Sequence, residues 1–201
     1  MIKIFYHKKN KILLIVFTYS DTLVFDKRKL KQSESFGQGT WDLRLSLPFI
    51  NHFLLKPDLE EKNISSFGFI GYAIGLDYYH KSNQYLSLLA AGLITDCCFD
   101  DLPNIFSNFM GLTNNHRFNI FAFGYGLSYS MNSWTAGMFS NKNYSANSLG
   151  LMFSSYYISE NSFTVGIIYR PSFIRLNATP TVKYEHLITI DFAFRIRLYT
   201  K

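Results

Sequence analysis

The chain has 201 residues, enough for one domain of barrel size. Charged residues make up only 17%, below the roughly 25% of ordinary soluble domains, while Phe and Tyr number 20 and 14. The sequence offers no run of about 18 apolar residues, so a membrane reading requires a closed barrel rather than a transmembrane helix.

The net charge of +6 is concentrated at the start of the chain. Residues 1–31 hold Lys3, Lys8, Lys9, Lys11, Lys27, Arg28, Lys29 and Lys31 against Asp21 and Asp26. Subtracting these eight and two from totals of 20 and 14 leaves twelve of each sign in residues 32–201. A nucleic-acid binder needs its basic patch on the folded body, so no nucleic-acid partner is expected. Lys8, Lys9 and Lys11 precede the apolar run Ile12–Phe17, the order of an export signal. The run is short against the usual ~7–15 residues, and no A-x-A site follows. Residues 1–35 are therefore read as a basic segment with an atypical signal, the alternatives being an ordinary strand or a basic arm. Residues 36–201 are read as the barrel.

Strict alternation of side chains marks a half-buried β-strand, because successive residues point to opposite faces. A first strand falls near 40–50, with Trp41, Leu43, Leu45 and Leu47 against Asp42, Arg44 and Ser46. The polar stretch from Lys56 to Asn63 interrupts. A second strand covers about 66–79, with Ile70, Tyr72, Ile74, Leu76 and Tyr78 opposing Gly71, Ala73, Gly75 and Asp77. After a short turn, His80 to Asn83, a third strand runs over about 84–95. A loop from Asp96 to Asn104 contains Pro103 and the adjacent Cys97 and Cys98, whose direct pairing would be strained. A fourth strand covers about 105–113. Asn114-Asn115 then reads as a hairpin turn, since Asn tolerates the left-handed backbone. The fifth strand, about 117–131, sets Phe121, Phe123, Tyr125, Leu127, Tyr129 and Met131 against Gly124, Gly126, Ser128 and Ser130. A polar loop, Asn132 to Ser145, leads to a sixth strand over 146–158. The turn Ser159-Glu160-Asn161 leads to a seventh over 162–175, with Pro171 near its end. The last strand, Leu187 to Tyr199, has Ile188, Ile190, Phe192, Phe194, Ile196 and Leu198 on one face. Thr189, Asp191, Ala193, Arg195 and Arg197 are on the other.

The expected fold is all-β, an eight-stranded antiparallel up-and-down transmembrane β-barrel. Connections alternate long and short, as in outer-membrane barrels, whose long loops face outside. The minor face is mostly Gly, Ala and Ser, which suits the narrow lumen of an eight-stranded barrel. A soluble barrel carrying an apolar ligand would put the bulky face inward and water-loving groups outward. Tyr78, Tyr79, Tyr85, Tyr129, Trp134, Tyr156, Tyr157, Tyr169 and Tyr199 fall near strand ends, where amphipathic rings favour the lipid–water boundary.

The inward charges Asp42, Arg44, Asp77, Arg170, Asp191, Arg195 and Arg197 are expected to form an ion-pair network that plugs the lumen, because buried charges must pair. Closure would bring Asp42 and Arg44 beside Asp191, Arg195 and Arg197. No phosphate loop, G-x-S-x-G or H-E-x-x-H is present. The reading is non-enzymatic, with no catalytic residue, no metal site and no cofactor. The alternative enzyme reading pairs His186 with Ser172 or another hydroxyl to modify outer-leaflet lipid.

Gly-Tyr-Ala-Ile-Gly-Leu-Asp-Tyr-Tyr (71–79), Phe-Gly-Tyr-Gly-Leu-Ser-Tyr-Ser (123–130) and the last strand give a chain that resembles the small outer-membrane β-barrel proteins of Gram-negative, Bacteroidetes-type bacteria, over about residues 36–199. The resemblance implies a monomer in outer-membrane lipid. It also implies insertion by barrel-assembly machinery that recognises the last strand, here Phe192, Phe194, Ile196, Leu198 and Tyr199.

Overall fold

A computed structural model of the chain describes residues 3–7, 12–16, 37–56, 63–95, 105–135, 143–159, 162–177 and 180–199. The chain divides into two units, Met1–Glu34 and Ser35–Lys201. In the first, β1 (Lys3–His7) and β2 (Ile12–Val16) pair antiparallel, with Lys3 opposite Val16 and His7 opposite Ile12. Most of the apolar run thus forms one strand of a hairpin.

The second unit is all-β. Its strands are β3 (Trp41–Leu55), β4 (Ile64–Gly68), β5 (Ile70–Lys81), β6 (Gln84–Ile94), β7 (Ile105–Phe118), β8 (Phe121–Thr135), β9 (Asn143–Ile158), β10 (Phe163–Arg175) and β11 (Thr181–Tyr199). β4 and β5 both pair with β3 and are parted only by Phe69, so they make one stave. From β5 onward each strand pairs antiparallel with its successor in the chain. β11 returns to β3, from His186 opposite Leu54 to Tyr199 opposite Trp41, and shuts the ring. Nine strands thus form eight staves of an up-and-down barrel without a free sheet edge.

The predicted periodicity decides which face goes where. Along β8, Phe121, Phe123, Tyr125 and Leu127 are exposed, while Ala122, Gly124 and Ser128 are buried. β11 does the same with Phe194 and Ile196 against Asp191, Ala193 and Arg195. Registered partners carry the band round the wall: Ile196, Leu43, Leu76, Leu88, Leu112, Leu127 and Leu151 follow one another across seven staves. The exterior is apolar and the axis is lined by buried polar and charged groups. A soluble carrier would show the reverse.

Several boundaries differ from the sequence reading. Asn114-Asn115 is not a turn. β7 continues to Phe118, Asn115 lies buried opposite Gly124, and its amide donates to Thr113 Oγ1 at 2.9 Å. The left-handed residue is Asn119, at φ 55°, four positions further on. The outer ends also reach further than alternation suggests: β3 runs to Leu55, β8 to Thr135, β9 begins at Asn143 and β11 at Thr181. The Asp96–Asn104 loop, with Cys97 and Cys98, lies outside the described residues.

Face assignment slips at bulges. In β3, Phe49 and Ile50 both turn away from the axis, so Asn51, Phe53 and Leu55 become the inward residues. Phe69 and Ile70 make the same doublet in the facing stave. In β10 the register shifts between Ser172 and Ile174, which turns Arg175 inward.

The lumen is bulkier than the small-residue face implies. Tyr79, Tyr85, Tyr156 and Trp134 are at most 4% exposed and point inward, so they do not belong to an outer aromatic belt. Tyr78, Tyr129, Tyr157, Tyr169 and Tyr199 do face out. Glycine makes room for the large groups. A Cβ at Gly111 would strike Met152 Sδ, and one at Gly166 would strike the Tyr156 ring. Met152 and Tyr156 are thus each seated over a residue with no side chain of its own, which lets them pack closely in a narrow tube.

Candidate functional site

The candidate site is the lumen, and its charges fall into two clusters. The first lies towards the short-turn end. β11 supplies Asp191, Arg195 and Arg197, β3 supplies Asp42 and Arg44, and β5 supplies Asp77. Ring closure sets Arg197 opposite Asp42 and Arg195 opposite Arg44. Arg197 Nε sits 3.2 Å from Asp42 Oδ1, with the arginine partly exposed at the mouth. Arg195 Nε lies 3.2 Å from Asp77 Oδ2, and both side chains are almost wholly buried. Arg195 Nη2 also donates to Tyr85 Oη at 2.9 Å.

The neighbouring guanidiniums avoid each other by reaching for different partners. Arg44 Nη2 donates to Ser87 Oγ at 3.1 Å, and its guanidinium lies 5.2 Å from the Tyr156 ring centre. Asp77 and Asp191 act on it electrostatically. Tyr156 Oη donates to Asp191 Oδ2 at 3.1 Å. Tyr79 and Tyr85 lie beside this network with ring centres 4.8 Å apart and planes tilted by 32°. Three carboxylates thus meet three guanidiniums, and Arg117 on β7 acts electrostatically on Arg195 and Arg197 from the short-turn side. The cluster ties β3, β5, β6, β9 and β11 together across the axis.

The second cluster lies towards the long-loop end. Arg175 and Glu185 form a buried ion pair. Arg175 Nη2 donates to the Lys56 carbonyl at 2.6 Å. Glu185 accepts from the Lys56 N–H at 3.0 Å and from Ser148 Oγ at 3.2 Å. Arg170 stands apart from the other six predicted charges. Its Nη1 donates to Ser130 Oγ at 3.2 Å, and its guanidinium lies 3.3 Å from the Phe109 ring centre.

Alternation alone could not place Arg175, because the β10 bulge reverses its face. Glu185 was legible: it continues the odd-numbered inward series of β11, once the strand is extended beyond Leu187. The inward tyrosines were hidden by their closeness to strand ends.

His186 does not join a nucleophile. Its ring sits among Tyr184, His52 and Tyr169, at 5.6, 5.9 and 6.1 Å between centres. No hydrogen bond links it to Ser172 among the described residues, and Ser172 is buried with the lumen groups. His80 and His116 are bridged by Gln84 near the short-turn end, at 3.2 and 3.1 Å. Among the described residues no three His, Cys, Asp or Glu side chains gather in a metal-binding arrangement.

A closed antiparallel ring with an apolar exterior and an ion-paired interior defines a small β-barrel with the sidedness of membrane barrels. Solved structures share the fold. Ail, the attachment invasion locus protein of Yersinia pestis, aligns at 10% identity with a TM-score of 0.52, covering 79% of this chain and 99% of Ail. Neisserial surface protein A aligns at 13% identity and a TM-score of 0.48, covering 79% and 97%. Ail in complex with the heparin analogue sucrose octasulfate aligns at 11% identity and 0.48, covering 79% and 99%. No protein-family model matches the chain, and no curated protein matches it in sequence.

Proposed function

We propose that the chain is an integral outer-membrane β-barrel protein of a Gram-negative bacterium, acting without catalysis as a monomer, through its long-loop end and as an element of the envelope. The single observation that carries this reading is sidedness. Phe, Leu, Ile and Tyr cover the outside of every stave, while among the described residues four arginines and four carboxylates are buried within. A water-soluble protein rarely exposes an apolar patch beyond a few hundred Å². Lipid removes that objection, and the closed ring satisfies the backbone within it.

The plugged lumen argues for contact at the rim rather than transport, since an eight-stranded barrel leaves a lumen only wide enough for side chains. Ail, a barrel of like shape, is named for attachment and invasion, and a surface-contact role of that kind is the reading proposed for the long-loop end. In this reading residues 1–35 direct export and the last strand, with Phe192, Phe194, Ile196, Leu198 and Tyr199, presents the insertion signal to barrel-assembly machinery. The test is cell fractionation with heat-modifiable gel mobility. Recovery in the outer membrane, with a band that shifts on boiling, is the expected result. A protein that stays in solution without detergent would overturn it.

A further inference from the structure

The outer side of the wall is not evenly filled. Ser155 in β9 pairs with Phe123 in β8 and with Ile167 in β10. All three point outward, so a small side chain stands between two large ones. The next rung is large throughout, with Tyr125, Phe153 and Tyr169, and the Phe153 and Tyr169 rings stack at 6.3 Å. The gap over Ser155 is a groove of about 710 Å³, open to the exterior and lined almost wholly by apolar groups. That volume falls within the ~300–1,000 Å³ of sites that hold ligands.

The groove has a direction. Gln84, His116, Phe123, Ser155 and Ile167 are successive register partners. Gln84 opens β6 at a short turn, whereas Ile167 is the fifth residue of β10, so the row climbs from the short-turn rim into the wall. Its rim end is polar and basic. Gln84 accepts from His80 Nε2–H at 3.2 Å and donates to His116 Nδ1 at 3.1 Å. With Nδ1 so occupied, His116 carries its proton on Nε2 and offers it as a donor. The Tyr125 ring, stacked on His116 at 5.8 Å, holds the imidazole at the groove. Lys81, the register partner of Gln84, is exposed beside it. An ammonium and an N–H at the rim, with an apolar trough rising behind them, match an amphiphile with an anionic head. Phe123 and Ile167 stand on strands roughly 10 Å apart. Between their side chains there is room for one acyl chain, and too little for the convex wall of a second barrel.

We propose that this row binds one glycerophospholipid of the leaflet at the short-turn end, with its phosphate on Lys81 and His116 and one acyl chain in the groove over Ser155. The inference rests on the membrane reading above and adds to it a single retained lipid, held by its head and along its chain.

The test is native mass spectrometry of the refolded full chain in detergent. It is titrated with dipalmitoyl phosphatidylglycerol or with dipalmitoylglycerol, which has the same chains and no phosphate. One phosphatidylglycerol per barrel is expected at concentrations where dipalmitoylglycerol shows no adduct. Ser155→Phe fills the trough and should weaken binding about tenfold, as should Lys81→Gln combined with His116→Gln. Ala90→Phe, a like change at a small outward residue of β6, should leave binding as it was. Heat-modifiable mobility shows that each variant has folded, and the comparison of the two lipids needs no variant. Equal binding of both lipids, binding that survives Ser155→Phe, or a dimer in place of the lipid adduct would each overturn the proposal. A chain that reaches the outer membrane in cells yet binds no phosphatidylglycerol loses this site and keeps the membrane reading.

Discussion

Removing one partner of the Asp77–Arg195 pair should cost far more than removing both. The two groups stand 3.2 Å apart with side-chain exposures of 0% and 3%. At an effective dielectric of ~20 their attraction is about 5 kcal/mol. Each also gives up several kcal/mol of hydration, so the net worth of the pair is small. Asp77→Leu leaves Arg195 buried with the Tyr85 hydroxyl and the more distant Asp42 and Asp191, and Arg195→Met leaves Asp77 without its ion-pair partner, facing Arg44. Each single change should destabilise by about 3–5 kcal/mol. The double variant should recover to within about 2 kcal/mol of the natural protein, giving a coupling energy well above 2 kcal/mol. Urea unfolding in lipid vesicles, followed by the fluorescence of Trp41 and Trp134, measures this if the slope m is unchanged among the four proteins. Single variants within about 1 kcal/mol of the natural protein, or costs that simply add in the double, would refute the premise that the lumen excludes water around this pair.

Other outcomes follow from the same geometry. Leu127→Arg places a cation on the lipid face of β8, where the leucine is 66% exposed, and should cost about 2–4 kcal/mol in vesicle folding but far less in a water-soluble barrel. Gly166→Leu should push the Tyr156 ring off its seat, break its bond to Asp191 and destabilise by roughly 1–3 kcal/mol in the same titration. Planar-bilayer recordings should show no steady conductance, and a stable open channel would count against the plug. Residues 36–201 alone should refold with the midpoint of the full chain, yet fail to reach the outer membrane in cells; correct targeting without residues 1–35 would remove them as the export signal.

Most of the wall could be read from period-two alternation, because each rung puts one residue towards lipid and the next towards the axis. Phe121 to Leu127 and Ile188 to Leu198 are the clearest stretches. The reading fails where the period breaks. Asn114-Asn115 looked like a turn since Asn suits left-handed backbone, but the buried side chain of Asn115 is satisfied within β7, and Asn119 bends instead. Arg175 was lost to the bulge in β10, so the Arg175–Glu185 pair could not be found by counting from Arg170. The inward tyrosines were missed for a different reason: a ring near a strand end fits a membrane boundary and a tube's interior equally well by composition. For Tyr156 the opposing Gly166, in another strand, makes the room that the ring needs.

The doublets Phe49-Ile50 and Phe69-Ile70 have a consequence for how such a chain can vary. Ser46 pairs with Ala73 and Asn51 with Gly68, so the two staves keep one common register on either side of the irregularity. The extra outward residue in one is therefore matched by the extra residue in the other. Losing a single residue from either would turn that stave inside out above the break, sending Ser66 and Gly68 into the acyl chains or Phe53 off the axis. Losing one from both would leave the two staves in step with each other. Length changes here should be inherited as couples, and a lineage carrying only one of them should be rare.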